Sequence, residues 1–174
     1  MTPSSGASRF ENLKLTALIN AYSAINIPLL AFVTPRIMEL SETRSVVRIR
    51  LDRRTRNHLK VMYFGALAMG AELSIALKAI DAIGKSGKKI DFIFKDFQAE
   101  FLKRADGHVH FICDQVPGVQ ELINLAVSGT ERHHRTFEGY AVVADNKAAP
   151  DAAHASDKIV MKYRLTLSVK QRAP

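Results

Sequence analysis

The chain has 174 residues, 47% of them apolar and 24% charged, which excludes disordered and collagen-like classes and suits one folded domain. A domain of this size buries roughly 70% of the surface its unfolded chain exposes, so neither disulfides nor a structural metal are required. The net charge is +8, and seven bases (Arg44, Arg48, Arg50, Arg53, Arg54, Arg56, Lys60) crowd into 17 residues against the single acid Asp52. Such a cluster suits nucleic acid, an anionic membrane surface or a phosphate-bearing ligand, or is simply a solvated strand face and loop.

Met1 to Ser8 lacks the charged-then-apolar run of a secretory signal, which sets the expected start of the mature protein near Met1. The lone Cys113 excludes an internal disulfide and points to a reducing compartment, hence to the cytoplasm. Ala17 to Val33 is largely apolar for 17 residues but carries Asn20, Ser23, Asn26 and Pro28. A spanning helix wants about 20 predominantly apolar residues. The stretch therefore reads as a buried or surface-docked helix, with an interfacial membrane anchor as the alternative.

Val47, Ile49 and Leu51 alternate with Arg48, Arg50 and Asp52, which predicts a half-buried strand with one core face and one cationic face. A polar loop, Arg53 to Lys60, follows. Phe64 to Ile83 is rich in Ala, Leu and Met and holds only Glu72, Lys78 and Asp81 as charges, so it predicts a long buried helix stopped at Gly84. Ile90, Phe92 and Phe94 begin a strand that continues through Phe97, Ala99 and Phe101 after a bulge. Val109, Phe111 and Cys113 follow an Asp106–Gly107 turn signal, so these segments read as an antiparallel run.

Pro117 to about Val127 predicts a short helix ending at Gly129, and Phe137 to Ala144 a further strand. Asp145 to Asp157 reads as a long hairpin loop. Ile159 to Lys170 gives the cleanest period-2 pattern in the sequence. The order of elements is that of an α+β fold, an antiparallel sheet wrapped around a long central helix.

Two residues of the long helix stand out chemically. Glu72 sits among Ala68, Met69, Ala71, Leu73 and Ala76, where a carboxylate is costly unless it is paired or has a task. It is either a general base with a raised pKa or one half of a buried ion pair. Gly65 at the helix start either leaves backbone N–H groups open to a developing oxyanion or permits close packing on the sheet. His133-His134 and Asp151/His154 lack a third ligand of the right sort, so no metal site is expected.

Asn57, Gly65 and Glu72 carry a resemblance. An Asn in a loop, a Gly eight residues later at the start of the central helix and an acid seven residues beyond it resemble the active-site signature of the hotdog-fold thioesterases. The likeness is strongest to the phenylacetate-pathway acyl-CoA thioesterase group, in a branch with an amino-terminal helical extension. It runs from about Arg44 to Lys170, which implies an extension over residues 1–43 and a hotdog domain over 44–174. The better-known members place His-Gly-Gly before the helix and Asp as the acid; here stand Tyr63-Phe64-Gly65 and Glu72.

The resemblance implies a thioesterase acting on an acyl-CoA or related pantetheine thioester. Glu72 would be base or nucleophile, the Gly65 N–H the oxyanion donor, and Asn57 the residue that orients water or the carbonyl. Tyr63 and Phe64 would line the acyl pocket. His58 would contact ligand or simply face solvent, and Arg53, Arg54 and Arg56 would bind CoA phosphates.

No cofactor is implied beyond the CoA of the substrate. Seven residues of helix advance about 10.5 Å, too far for Gly65 and Glu72 of one chain to flank one carbonyl. The family's remedy is a homodimer, or a dimer of dimers, in which one subunit's helix start faces its partner's acid. The alternatives are a hotdog hydratase or dehydratase and a non-catalytic acyl-binding or nucleic-acid-binding protein. Against nucleic acid, no aromatics interleave with the arginines to stack bases.

Overall fold

The computed structural model describes residues 9–143 and 159–172. Two amino-terminal helices, α1 (Arg9–Asn26) and α2 (Pro28–Phe32), lead into strands β1 (Arg36–Leu40) and β2 (Ser45–Ile49). The long helix α3 (Phe64–Ser86) follows, then β3 (Ile90–Phe101), β4 (Val109–Cys113), α4 (Val116–Ser128), β5 (Arg132–Val143) and β6 (Ile159–Gln171). The six strands form one antiparallel sheet in the order β1-β2-β4-β5-β6-β3. α3 packs on β2, β4 and β5 and against α4. The α+β reading and its wrapped helix hold.

α3 forms where its Ala, Leu and Met residues favour a helix, and it ends at Gly87, whose φ of 66° is the left-handed conformation glycine adopts freely. It runs past the expected stop at Gly84, because a Gly inside a helix costs only about 1 kcal/mol and packing offsets that. Gly70 is where helix and sheet come closest, since a Cβ there would run into the ring of Phe111. Ala71, Ile75 and Ala79 on α3 join Phe111, Met161, Leu165 and Leu167 from the sheet in one core, to which α4 adds Leu122 and Ile123. A second cluster joins Ile19 of α1 and Ile37 of β1 to Leu73 and Leu77 of α3.

Three sequence expectations change. β1 stands where the sequence predicts no strand, since Arg36-Ile37-Met38-Glu39-Leu40 does not alternate cleanly in polarity. β2 is not half-exposed: all five residues are buried, Arg48 included, because neighbours flank both edges and Val46 packs on the outer face with Ile112 and Val142. Finally, Asp106–Gly107 does not close a hairpin. β3 pairs only with β6 at the far edge while β4 lies between β2 and β5, so this connection crosses between non-adjacent strands. The bulge expected in β3 is present, between Phe94 and Phe97. β5 and β6 pair as expected, while the hairpin loop expected at Asp145 to Asp157 and the Asp151/His154 grouping lie outside the described residues.

Candidate active site

The loop before α3 is built by its own side chains. Thr55, buried, donates from Oγ1 to Arg50 O at 2.6 Å and accepts from Asp52 N at 3.0 Å. His108 Nδ1 accepts from Leu51 N at 2.9 Å, which ties the loop to the start of β4. Asn57 Oδ1 accepts from the amides of Leu59 (2.9 Å) and Val61 (3.3 Å), an Asx-type turn, and its Nδ2 has no partner among the described residues. Tyr63 N donates to Thr55 O at 2.7 Å, and the chain enters α3 there.

The first helical bond runs from Leu67 N to Tyr63 O, and no side chain caps the helix. The N–H groups of Phe64, Gly65 and Ala66 are therefore without partners among the described residues, at the positive end of a 23-residue helix. A Cβ on Gly65 would meet nothing but the Tyr63 ring, 2.7 Å away. Close packing on the sheet is thus the task of Gly70 and not of Gly65.

One stripe of α3 is left uncovered by the sheet. Phe64, Gly65, Ala68, Met69 and Glu72 form the floor of a trough of about 1100 Å³, walled by β3 on one side and reached by Tyr22 and Ile27 on the other. The Phe64 ring stands edge-on to Phe101 at 5.8 Å between centroids, and Phe92 to Phe94 at 6.5 Å, which makes the wall aromatic. Lys88, Lys89 and Lys95 add positive charge along it, while Arg172 on the same rim is paired with Asp91.

Among the described residues Glu72 does not have the ion-pair partner that a structural role demands. The other charges of α3 are matched: Lys78 lies 3.6 Å from Glu42 and 3.7 Å from Asp81, and Lys85 lies 2.8 Å from Asp81. Glu72 is also not sealed in the core but opens onto the trough floor. Its side chain reaches solvent, yet the apolar groups around it displace enough water to raise its carboxyl pKa above the ordinary value.

Gly65, Phe64 and Glu72 thus share one concave surface, and Tyr63 borders it against Gly65. Asn57, His58, Arg53, Arg54 and Arg56 do not line the trough of the single chain. His58, Arg53, Arg54 and Arg56 are exposed. Arg54 Nη2 lies 2.9 Å from Asp52 Oδ2, which holds the Asp52 carboxyl below its ordinary pKa.

A sequence profile described as a domain of unknown function, DUF4442, matches residues 16–145, well over half of the chain. The chain belongs to the DUF4442 family. No curated protein matches the sequence. Among solved structures, a putative thioesterase from Shewanella oneidensis superposes with a TM-score of 0.68 at 9% identity, covering 89% of this chain and 96% of the other. A protein of unknown function from Chlorobaculum tepidum gives 0.75 at 8% identity, over 92% and 97% of the two chains. A thioesterase from Haemophilus influenzae gives 0.60 at 16%, over 88% of each. At these identities the likeness is one of fold, and this DUF4442 chain has the hotdog fold.

The cations of the trough went unread in the sequence. Lys88, Lys89 and Lys95 are scattered around a turn and a strand, and only the position of β3 against α3 brings them to the site with Arg172 from the chain's far end. Period-2 alternation in β3 did mark Phe92 and Phe94 as sharing a face.

Proposed function

We propose that this DUF4442 chain is a thioesterase that hydrolyses an acyl-CoA or related pantetheine thioester in the cytoplasm, with each site shared across a homodimer. The observation that carries the reading is a carboxylate of raised pKa, Glu72, with no ion-pair partner among the described residues, on the same trough as the N–H groups at the start of α3 that are likewise without partners there. The solved hotdog structures named as thioesterases add to it.

In this reading the Glu72 carboxylate takes a proton from water as the water oxygen attacks the thioester carbonyl. The carbonyl oxygen becomes an oxyanion held by the Gly65 N–H of the facing subunit. Collapse breaks the C–S bond, and the leaving thiolate recovers the proton from Glu72. Direct attack by Glu72 would instead give an anhydride that water then opens.

Asn57 Nδ2 remains available to orient water or the carbonyl, and Tyr63 and Phe64 flank the acyl group. Arg53, Arg54 and Arg56 meet the CoA phosphates, and His58 lies beside them in the loop. The dimer is supported by β3, a 12-residue strand at the open edge of the sheet whose outer backbone groups no other strand covers. It joins by that edge, alone or as a dimer of dimers.

Incubation with acyl-CoAs of increasing chain length, read by release of free thiol, tests the reading. Thiol release that depends on Glu72 supports it. Tight acyl-CoA binding without release would make the chain a non-catalytic acyl-binding protein, and water addition to an enoyl-CoA would make it a hydratase.

A further inference from the structure

The docked face of α1 is mixed: Ile19 and Leu15 join the core beside Ile37, while Asn12, Thr16 and Asn20, recurring every four residues, form its polar part. Asn12 Nδ2 donates to Met38 O at 2.9 Å, the Ile37 N–H donates to Thr16 Oγ1 at 3.0 Å, and Asn20 Nδ2 donates to Pro35 O at 2.9 Å. β1 is an edge strand, so these backbone groups lack a neighbouring strand, and the helix side chains satisfy them instead.

The opposite face of α1 is also apolar, and it lies outside. Phe10, Leu13, Leu18 and Ile25 are all exposed, Ile25 to 82%, and α2 continues the surface with Leu29 and Phe32. Lys14, the cation within it, lies over the Phe10 ring 4.4 Å from its centroid. A contiguous apolar surface of this kind marks a place of contact with something apolar.

Charge identifies the occupant. Arg54 Nη2 donates to Thr34 Oγ1 at 3.2 Å, two residues beyond the end of α2, so the basic loop 53–60 stands beside the apolar face. Arg53, Arg54, Arg56 and Lys60 are exposed there, and the single acid, Asp52, is taken by Arg54. Apolar side chains flanked by cations match a lipid surface, where the former enter the acyl boundary and the latter meet headgroup phosphates. An apolar protein partner would account for the face but not for exposed cations at its edge such as Lys60, which the proposed CoA contacts do not use. No helix among the described residues is long and apolar enough to cross a membrane, so the geometry is that of a helix lying in the interface.

We propose that the outer face of α1 and α2, with the basic loop 53–60 beside it, docks on the surface of an anionic lipid bilayer. Tyr22 of α1 and Ile27, between α1 and α2, both line the trough, so docking brings that wall of the trough to the lipid.

The chain contains no tryptophan, so Ile25→Trp places a unique fluorescent reporter at the most exposed position of the face. With vesicles of phosphatidylcholine containing about 30 mol% phosphatidylglycerol, its emission should shift to the blue and the protein should float with the vesicles. Binding should weaken about tenfold or more on pure phosphatidylcholine, or when salt is raised from about 0.1 to about 0.5 M. The variant Leu18→Glu/Ile25→Glu/Leu29→Glu, with helix content checked by circular dichroism, should lose flotation.

Absence of both blue shift and flotation in the single-Trp protein overturns the proposal. Flotation undiminished in the folded triple variant also overturns it, by leaving charge alone as the cause. If the triple variant instead sediments as a smaller species while no form binds vesicles, the face is an interface between copies of this chain.

Discussion

Ser74 Oγ and the Tyr163 hydroxyl lie 2.8 Å apart in the buried space between α3 and β6, and Tyr163 in turn donates to Ile112 O at 3.1 Å. This contact sets the rotation of the central helix. Ser74 faces the sheet, so Glu72, two residues earlier and about 200° around the helix, faces the trough. Ser74→Ala should cost about 1 kcal/mol in urea denaturation, because Tyr163 keeps its bond to Ile112 and only one partner is lost. A loss above about 3 kcal/mol would mean that Tyr163 depends on Ser74 to stay in place.

Gly65 and Gly70 of α3 should part company. Gly70→Ala pushes a methyl into the Phe111 ring and should lower stability by about 1–3 kcal/mol, read as a fall in Tm. Gly65→Ala meets only the ring of Tyr63, which is exposed and free to swing. Its stability should stay within about 1 kcal/mol of wild type. If Gly65 serves an oxyanion, thiol release should fall in that variant although the fold is intact.

Much of the fold is legible in residue order, because α3 and β6 carry unambiguous periods: apolar nearly all round in one, strict alternation in the other. β1 was not, since Arg36-Ile37-Met38-Glu39-Leu40 does not alternate cleanly and becomes a strand by pairing with β2, with Asn12 and Thr16 of α1 bonding its outer edge. Arg48 misled for a related reason, as its charge suggested an open face where tertiary packing closes one. Of the candidate site, Gly65 stands out in the sequence as a helix-start glycine and Glu72 as a lone carboxylate in an apolar helix. The lysines along the trough do not, because the strand order that collects them skips from β6 to β3.

Acid should weaken the fold through His110. This imidazole is buried in β4 with neither ring nitrogen hydrogen-bonded among the described residues, and burial, followed by Arg48, His108 and Arg44, pushes its pKa down to about 4. An unfolded chain's imidazole titrates near about 6.5. Between those values the unfolded state takes up a proton that the folded state refuses. The stability is therefore complete above pH of about 6.5 and falls by about 3 kcal/mol as pH drops towards about 4. Carboxylates titrate in the same window, so the measurement is a difference: His110→Leu should flatten the slope of unfolding free energy against pH relative to wild type.

Two groups of cations are candidates to meet the phosphates of the proposed CoA substrate. Replacing Arg53, Arg54 and Arg56 by Ala should raise KM for a CoA ester more than for the matching short pantetheine ester. Lys88 and Lys89 stand on the trough itself, and their replacement by Ala is the comparison. A larger KM effect from the lysine pair would move phosphate binding to the trough's own rim and leave the arginines to another role.

Glu72 decides the catalytic reading. Its raised pKa means that the carboxylate form, the one able to act as base or nucleophile, appears at higher pH than for an ordinary Glu, so the acid limb of kcat/KM should lie above the ordinary carboxylate range. Stability runs the other way: above that pKa the folded chain holds a charge it disfavours, so Glu72→Gln should leave stability unchanged or raised at neutral pH. A buried ion pair would instead predict a loss of roughly 3–5 kcal/mol. Loss of the general base alone should lower kcat by about 10²–10⁴-fold. Mixing Glu72→Gln with Gly65→Pro, which deletes the helix-start N–H, should restore activity in hybrid dimers, because one of the two shared sites then carries both defects and the other neither. Wild-type turnover by folded Glu72→Gln would remove Glu72 from the chemistry. Verified hybrid dimers without recovered turnover would place Gly65 and Glu72 in separate tasks.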